Sequence, residues 1–445
     1  MVRRHALTAV AASLALAGSA LVGPALADTP APTDTGEHVT YTQWDFGDHA
    51  PPPGSYAGTM RVGSPDGLAL RLNHPTATRT YTDPFAAAGT DQAAPRTYDE
   101  GVWTSPTVRT PFGLTELVSS WNAHTPGGTW VEATVQGVAE NGVTSKWYVL
   151  GRWADHDTDI HPTSLTGQAD DLATVYTDTL ATRHGHTFDS YRIRLSLMRP
   201  AGSTLTPTVD MVGAMASSGT DFDTPPTAPP TTMTRTKVLD VPTYSQENHI
   251  GDYPEYDNGG EAWCSPTSTS MVVASWGRGP SPADYSWVTD KFPGHTDPQV
   301  DYAARHTFDY TYDGAGNWPF NTAYAGEFGL EGFVTRLRNL DEAEQFIKAG
   351  IPVVTSVAFE KGELDGAGYG TNGHLMVIVG FTKEGDVIVN DPASHLIPSD
   401  DQVRTTYDRQ QFSNAWIGHT GGIVYVIRPD SKPLPASVTP TERNW

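Results

Sequence analysis

Apolar and polar positions follow two rhythms along the chain. Between residues 38 and 217 the dominant period is two. Tyr191, Ile193, Leu195 and Leu197 alternate with Arg192, Arg194 and Ser196, and Trp130-Val131-Glu132-Ala133-Thr134-Val135 alternates in the same way. That period turns one face of a strand toward a core and leaves the other wet. Turn-forming clusters interrupt at short intervals, as in Ser64-Pro65-Asp66-Gly67, Pro126-Gly127-Gly128 and Glu140-Asn141-Gly142. With no long segment of helical period among them, these strands predict an all-β sandwich, jelly-roll-like domain over 38–217.

Residues 218–235 are rich in Pro and Thr and nearly free of large apolar side chains, which predicts a stiffened linker and a domain boundary. Helix and strand patterns mix over 236–430, an α+β signature. Val238-Leu239-Asp240-Val241 reads as a short strand. Pro266 to Trp276 reads as a helix, with Pro near its start and Gly277 as its stop. Asp341 to Ala349 reads as a second helix ended by Gly350, with Pro352 beyond. Strands are expected at Val353–Val357, Leu375–Phe381, Val387–Asn390 and Ile423–Ile427, the middle pair joined by the turn Lys383-Glu384-Gly385-Asp386. Residues 431–445 read as a loose tail.

Composition narrows the classes. At about 100–200 residues per domain, 445 residues suggest two or three domains. Twelve Trp, eighteen Tyr and fourteen Phe supply bulk for real cores and argue against global disorder. A net charge of −23 argues against a nucleic-acid binder and against a protein held on an anionic membrane by charge. Residues 1–27 read as a secretory signal peptide: Arg3 and Arg4 form a basic start, Ala6 to Val22 is apolar and small, and Ala25-Leu26-Ala27 is a cleavage site before Asp28. Residues 28–37 are a polar lead-in. The expectation is a secreted, extracellular protein with no membrane span.

One cysteine allows no intramolecular disulfide and no thiolate zinc site. In an exported chain an unpaired Cys is a leftover, an intermolecular bridge or a reactive thiol. Cys264 follows Gly259-Gly260-Glu261-Ala262-Trp263 and opens the predicted helix. Free N–H groups and the positive end of the dipole there favour a thiolate. The paired glycines would let a substrate backbone come close. A thiolate nucleophile needs a proton shuttle, an acceptor that orients it, and oxyanion donors. His374 starts one strand and Asp391 ends the next, so a single hairpin brings both to its open end, where Asp391 can fix the tautomer of His374. Gln246, upstream, has an amide able to donate to an oxyanion beside the Cys264 N–H.

The segments Val241-Pro242-Thr243-Tyr244-Ser245-Gln246, Trp263-Cys264-Ser265-Pro266-Thr267-Ser268, Gly373-His374-Leu375-Met376-Val377-Ile378-Val379-Gly380-Phe381 and Val389-Asn390-Asp391-Pro392-Ala393 resemble, in order, the bacteriocin-processing-like cysteine peptidases, family 39. The resemblance covers residues 236–430. It implies a papain-like fold, with Cys264 as nucleophile, His374 as base, Asp391 as orienter and Gln246 in the oxyanion hole. The sequence departs from that pattern in a polar insertion from Glu247 to Glu261. It departs again at Ser265, where leader peptidases attached to transporters often have Gly. No ATPase or membrane domain follows, so the expected branch is free-standing and exported.

The resulting expectation is a peptidase acting on amide bonds of a peptide or protein, cell-wall peptide included, through a thioacyl intermediate. Transglutaminase-like acyl transfer and cell-wall amidase activity would use the same three residues. A catalytically inactive binding protein is the alternative of another class. In the first domain, Trp44, Trp103, Trp121, Trp130, Trp147 and Trp153 are expected mainly in the core, with a glycan-binding groove as the rival reading. Asp155-His156-Asp157-Thr158-Asp159 carries oxygen ligands suited to calcium but reads more simply as a solvated loop. His249, His295, His306, His395 and His419 show no spacing typical of metal ligands, and no metal or cofactor is expected.

Overall fold

A computed structural model describes residues 38–64, 67–219 and 227–445. The expected signal peptide, the lead-in, the tip of the turn at Pro65-Asp66 and part of the Pro/Thr-rich segment lie outside the described residues.

The first domain is built from strands β1 (His38–Asp45), β2 (Ser55–Ala57), β3 (Thr59–Ser64), β4 (Gly67–Leu72), β5 (Ala77–Tyr81), β6 (Arg96–Thr104), β7 (Val108–Leu114), β8 (Glu116–His124), β9 (Trp130–Ala139), β10 (Tyr148–Trp153), β11 (Ala173–Tyr176), β12 (Thr179–Thr182), β13 (Phe188–Pro200) and β14 (Thr208–Ser218). They form two seven-stranded sheets. One has the order β11-β12-β8-β14-β4-β3 with β1 on β14; the other runs β10-β9-β13-β6-β2 with β5 on β6 and β7 on β13. The period-two pattern explains the packing. On β13, Tyr191, Ile193, Leu195 and Leu197 are buried between the sheets. Arg192 and Arg194 point the other way and lie over the ring of Trp147.

The second domain holds one seven-stranded antiparallel sheet. Its strands are β15 (Lys237–Val238), β16 (Glu331–Arg336), β17 (Val353–Phe359), β18 (Thr371–Phe381), β19 (Val387–Asn390), β20 (Arg404–Tyr407) and β21 (Ile423–Arg428). They run in the order β16-β21-β17-β18-β19-β20, with β15 on β18. The helices are α1 (Cys264–Ser275), α2 (Ser286–Lys291), α3 (Pro298–His306), α4 (Trp318–Gly326), α5 (Leu340–Ala349) and α6 (Arg409–Thr420). Asn339 caps α5 through the Glu342 N–H, and Gly350 ends it with φ 80°. Among the described residues no helix is long and apolar enough to cross a membrane.

Helix α1 is buried from Ser265 to Val273 despite its run of hydroxyl side chains. Several hydroxyls find partners: Ser268 donates to the Leu375 carbonyl at 3.0 Å, Thr269 to Asn321 at 3.1 Å, and Ser265 pairs with the Tyr425 hydroxyl at 2.9 Å. These bonds seat the helix on the sheet.

The two domains share an interface. Trp121 and Trp153 of the sandwich pack on Phe320 of α4. The open edge of β16 is covered by side chains of β8: Asn122 accepts from the Gly332 N–H, and Ser120 accepts from the Val334 N–H at 2.8 Å. An exposed strand edge is thereby blocked without a further strand.

Two sequence expectations change. The last residues are not a loose tail. Asn444 is fully buried and donates to Arg336 O and Glu342, and Trp445 packs edge-on against Phe346. The Arg443 carbonyl accepts from the Tyr41 N–H of the first domain at 2.7 Å. An amide and an indole with specific partners hold a segment that its terminal position alone suggested would be loose. The second half of the Pro/Thr-rich segment is likewise docked. Thr231 and Thr232 bond to Glu344, and Arg409 donates to the Pro229 carbonyl.

Candidate active site

Cys264 is the first residue of α1, half-buried, with Trp263 in the cap position. No side chain caps this helix end, which leaves the Cys264 and Ser265 N–H groups without a side-chain acceptor. The preceding turn is fixed from below. Gly259 has φ 103°, and a Cβ at Gly260 would fall 2.2 Å from the Gln246 carbonyl oxygen. The paired glycines were expected to admit a substrate backbone. They instead let the protein's own backbone, Gln246 to His249, close against the approach to Cys264.

His374 lies on β18, one residue before the carbonyl that receives Ser268 of α1. Its Nε2 is 2.8 Å from Asp391 Oδ1. The Cys264 side chain lies near enough to act on the same ring as a charge and hydrogen-bond partner. Asp391 follows β19 and is fully buried. It accepts further hydrogen bonds from the Tyr369 hydroxyl at 2.9 Å, the Tyr407 hydroxyl at 2.8 Å and the Ala393 N–H at 3.1 Å. Burial works against the charged form of both partners. The nearby Asp391 carboxylate and Cys264 sulfur overcome that for His374 and lift it to about 10. For Asp391, His374 and the two phenols hold the carboxyl below its ordinary range despite burial. The site is therefore built to keep a charged imidazolium against a charged carboxylate at neutral pH.

Gln246 is nearly fully buried. Its Nε2 donates to the Glu261 carbonyl at 3.0 Å, in the lead-in to Cys264, and its N–H donates to Pro392 O, next to Asp391. Its Oε1 has no protein partner. The structure thus gathers Cys264, His374, Asp391 and Gln246 into one neighbourhood drawn from four separate segments.

Residues 238–423 match the family model for Peptidase_C39 like proteins, and residues 38–217 match the model for the peptidase C39 N-terminal domain. The C-terminal domain belongs to the C39-like peptidases. No curated protein matches the chain. Among solved structures, a Bacillus anthracis protein described as C39-like peptidase shares 17% identity, covering 44% of this chain and 98% of its own, with a TM-score of 0.28. A chain from the structure of accessory secretory proteins 1, 2 and 3 of Streptococcus pneumoniae shares 15% identity, covering 39% of this chain and 94% of its own, with a TM-score of 0.18.

Within this C39-like domain, sequence reasoning missed the two phenols on Asp391. Tyr407 lies on β20, a short strand without clear alternation, and Tyr369 lies in a Gly-rich loop. It also missed acids buried wholly or in part nearby. Burial, reinforced by Glu261, raises Glu247 while His374 works against the rise, and burial, reinforced by Asp313 and Glu261, lifts Asp257 to about 6. The density of acids in 247–261 was the available signal. In the first domain, five of the six candidate Trp side chains are buried, and Trp147 is half-covered by two arginines, so these rings do not combine into a groove. The acidic loop is not simply solvated either. Asp155 accepts from the Thr125 N–H and hydroxyl, and Asp157 receives Arg305, Tyr256 and Tyr310 across the domain boundary. Those oxygens are occupied by protein donors.

Proposed function

We propose that this chain is a secreted cysteine peptidase that hydrolyses amide bonds of peptide or protein substrates. The observation that carries the reading is His374, hydrogen-bonded at 2.8 Å to a buried Asp391 and within electrostatic reach of Cys264 at the start of α1. A helix carrying Cys264, packed on an antiparallel sheet that carries His374 and Asp391, supports a papain-like arrangement.

The Cys264 sulfur attacks the scissile carbonyl, and the oxyanion is received by the Cys264 N–H and the Gln246 amide. For this, Gln246 Nε2 turns its second hydrogen toward the cleft while the first stays on Glu261 O. The His374 imidazolium gives its proton to the leaving amine. It then takes a proton from the water that cleaves the thioester. Asp391 keeps the ring oriented throughout.

The test is cleavage of a proteome-derived peptide library by the purified protein, with Cys264→Ala beside it. Peptide products that vanish in the variant support the reading. Equal products from both proteins, or none under any condition in which iodoacetamide labels Cys264, would overturn it. Transfer to an added amine, detected by mass spectrometry, would redirect it to acyl transfer.

A further inference from the structure

Four side chains outside the catalytic group converge on one point. His249 Nδ1 is 3.1 Å from His295 Nε2 and 3.0 Å from Asp301 Oδ2. His295 Nε2 is 3.0 Å from Asp252 Oδ2 and 3.2 Å from Asp301 Oδ2, and His249 Nδ1 is 3.9 Å from Asp252 Oδ2. All four donor atoms lie within 4.8 Å of one another. A tetrahedral ion with bonds of about 2.0–2.1 Å would hold its ligands roughly 3.3–3.4 Å apart, close to these separations.

Protons alone account poorly for this geometry. Two ring nitrogens in contact cannot both present lone pairs, so at least one must carry hydrogen. His249 and Asp301 are fully buried, and both His249 Nε2 and Asp301 Oδ1 lack a protein partner. Two carboxylates converging on two imidazoles in so dry a place form a site of −2 charge when the rings are neutral, which a divalent cation balances.

We propose that His249, Asp252, His295 and Asp301 bind one zinc ion in a closed, structural site. Imidazole and carboxylate donors suit zinc, and four protein ligands fill a tetrahedral shell with no position open to water. Calcium and magnesium prefer six or more oxygen ligands or retain water, and fit a two-nitrogen set less well. The inference does not rest on the peptidase reading.

The location gives the ion a task. His249 and Asp252 belong to the polar insertion after Gln246, and the insertion's ends pair at Ile250 and Gly259. Asp301 is on α3, and His295 is in the loop before it. One ion would join the insertion to α3 and hold the turn Gln246–His249, which carries the Gln246 amide.

The experiment measures metal content of the full chain and then strips and titrates it with zinc sulfate against a chromophoric competitor. The expected result is one zinc per chain and a melting temperature that rises with zinc and falls with chelator. Cys264→Ala should bind zinc as the parent does. His295→Ala changes one of the two part-exposed ligands. It should lose affinity by more than the roughly 10–100-fold typical of an outer-shell partner and melt like the stripped parent with or without zinc. The proposal is overturned if the parent neither holds zinc nor gains stability from it, or if His295→Ala retains zinc. It is also overturned if Cys264→Ala releases the ion, which would place it on the thiol, or if calcium binds in preference.

Discussion

The two histidine–aspartate groups of the second domain are chemically alike and physically opposite. His374 with Asp391 forms one pair: one ring nitrogen meets the carboxylate, and Cys264 acts on the same ring. Two phenols and a backbone N–H saturate Asp391 behind the imidazole, and the thiol acts on the ring itself. His249, Asp252, His295 and Asp301 instead point their donors inward at one another, leaving buried polar atoms unpartnered on the outside. The first group is saturated behind and open in front. The second is saturated in the centre. On the two proposed readings, the same residue types would serve proton transfer in one group and cation binding in the other.

The largest expected difference between the groups is in catalysis. Cys264→Ala should reduce peptide cleavage by roughly 10⁴-fold or more, since removing a nucleophile abolishes the mechanism that its partners support. Melting should change little, because the half-buried thiol adds little packing. Kinetics and thermal unfolding on one preparation check both halves. A large fall in melting temperature would make Cys264 structural and erase the contrast.

Asp391→Asn comes next, at roughly 10³-fold. That is less than the about 10⁴-fold typical when the orienter of a hydroxyl nucleophile is lost, because a thiol ionises with less help. Its diagnostic is the pH profile. With His374 raised to about 10, the alkaline limb of kcat/KM in the parent should fall near pH 10. The Asn variant should move that limb toward neutrality. Stability follows the same signs. The raised His374 contributes fully below its unfolded value of about 6.5 and loses that contribution as pH rises through about 10. The lowered Asp391 contributes above about 3.9 and loses it as pH falls through its lower folded value. The variant should therefore be least stable relative to the parent between those limits, and a pH series of melting curves reads this.

The same comparison explains what was legible in the sequence. His374 and Asp391 sit on consecutive strands of one hairpin, so local spacing brings them together, and Cys264 is marked by a helix start. The other group draws His249 and Asp252 from an irregular insertion, His295 from a loop and Asp301 from a helix start. No period or motif relates two such segments; only the tertiary packing of α3 against α1 region does. The helices and strands that alternated cleanly or carried caps, such as α5 with Asn339 and Gly350, could be read from the chain. β16, all six residues of it buried, could not, because the partner that hides its outer edge is a strand of another domain. Trp445 and Asn444 were hidden for the same reason: a tail's partners lie far away in sequence.

Gln246 is placed between the groups, three residues from His249 and hydrogen-bonded to the lead-in of Cys264. Gln246→Ala should lower kcat by about 10²-fold with little change in KM, as expected for a donor used only on the oxyanion. Zinc content should stay at the parent's level, because no ligand is touched. Steady-state kinetics with metal analysis of the same sample checks this, and an unchanged kcat would remove Gln246 from the oxyanion hole.

The smallest effect belongs to Tyr407→Phe. It removes one of two phenols from a buried carboxylate and leaves the ring in place, so packing is kept. A hydrogen bond to a charged group contributes about 1.5–3 kcal/mol, so a measurable loss of stability is expected. Asp391 retains Tyr369, Ala393 and His374, so the imidazolium keeps its partner. Activity should fall only several-fold, and the alkaline limb should stay near its parental position. Urea unfolding with a kcat/KM profile across pH separates the two effects. If Tyr407→Phe shifted the limb as far as Asp391→Asn does, the phenol would be setting the charge of the pair, not merely saturating its back. The open-fronted group would then depend on its rear wall as strongly as the inward-facing group depends on its centre.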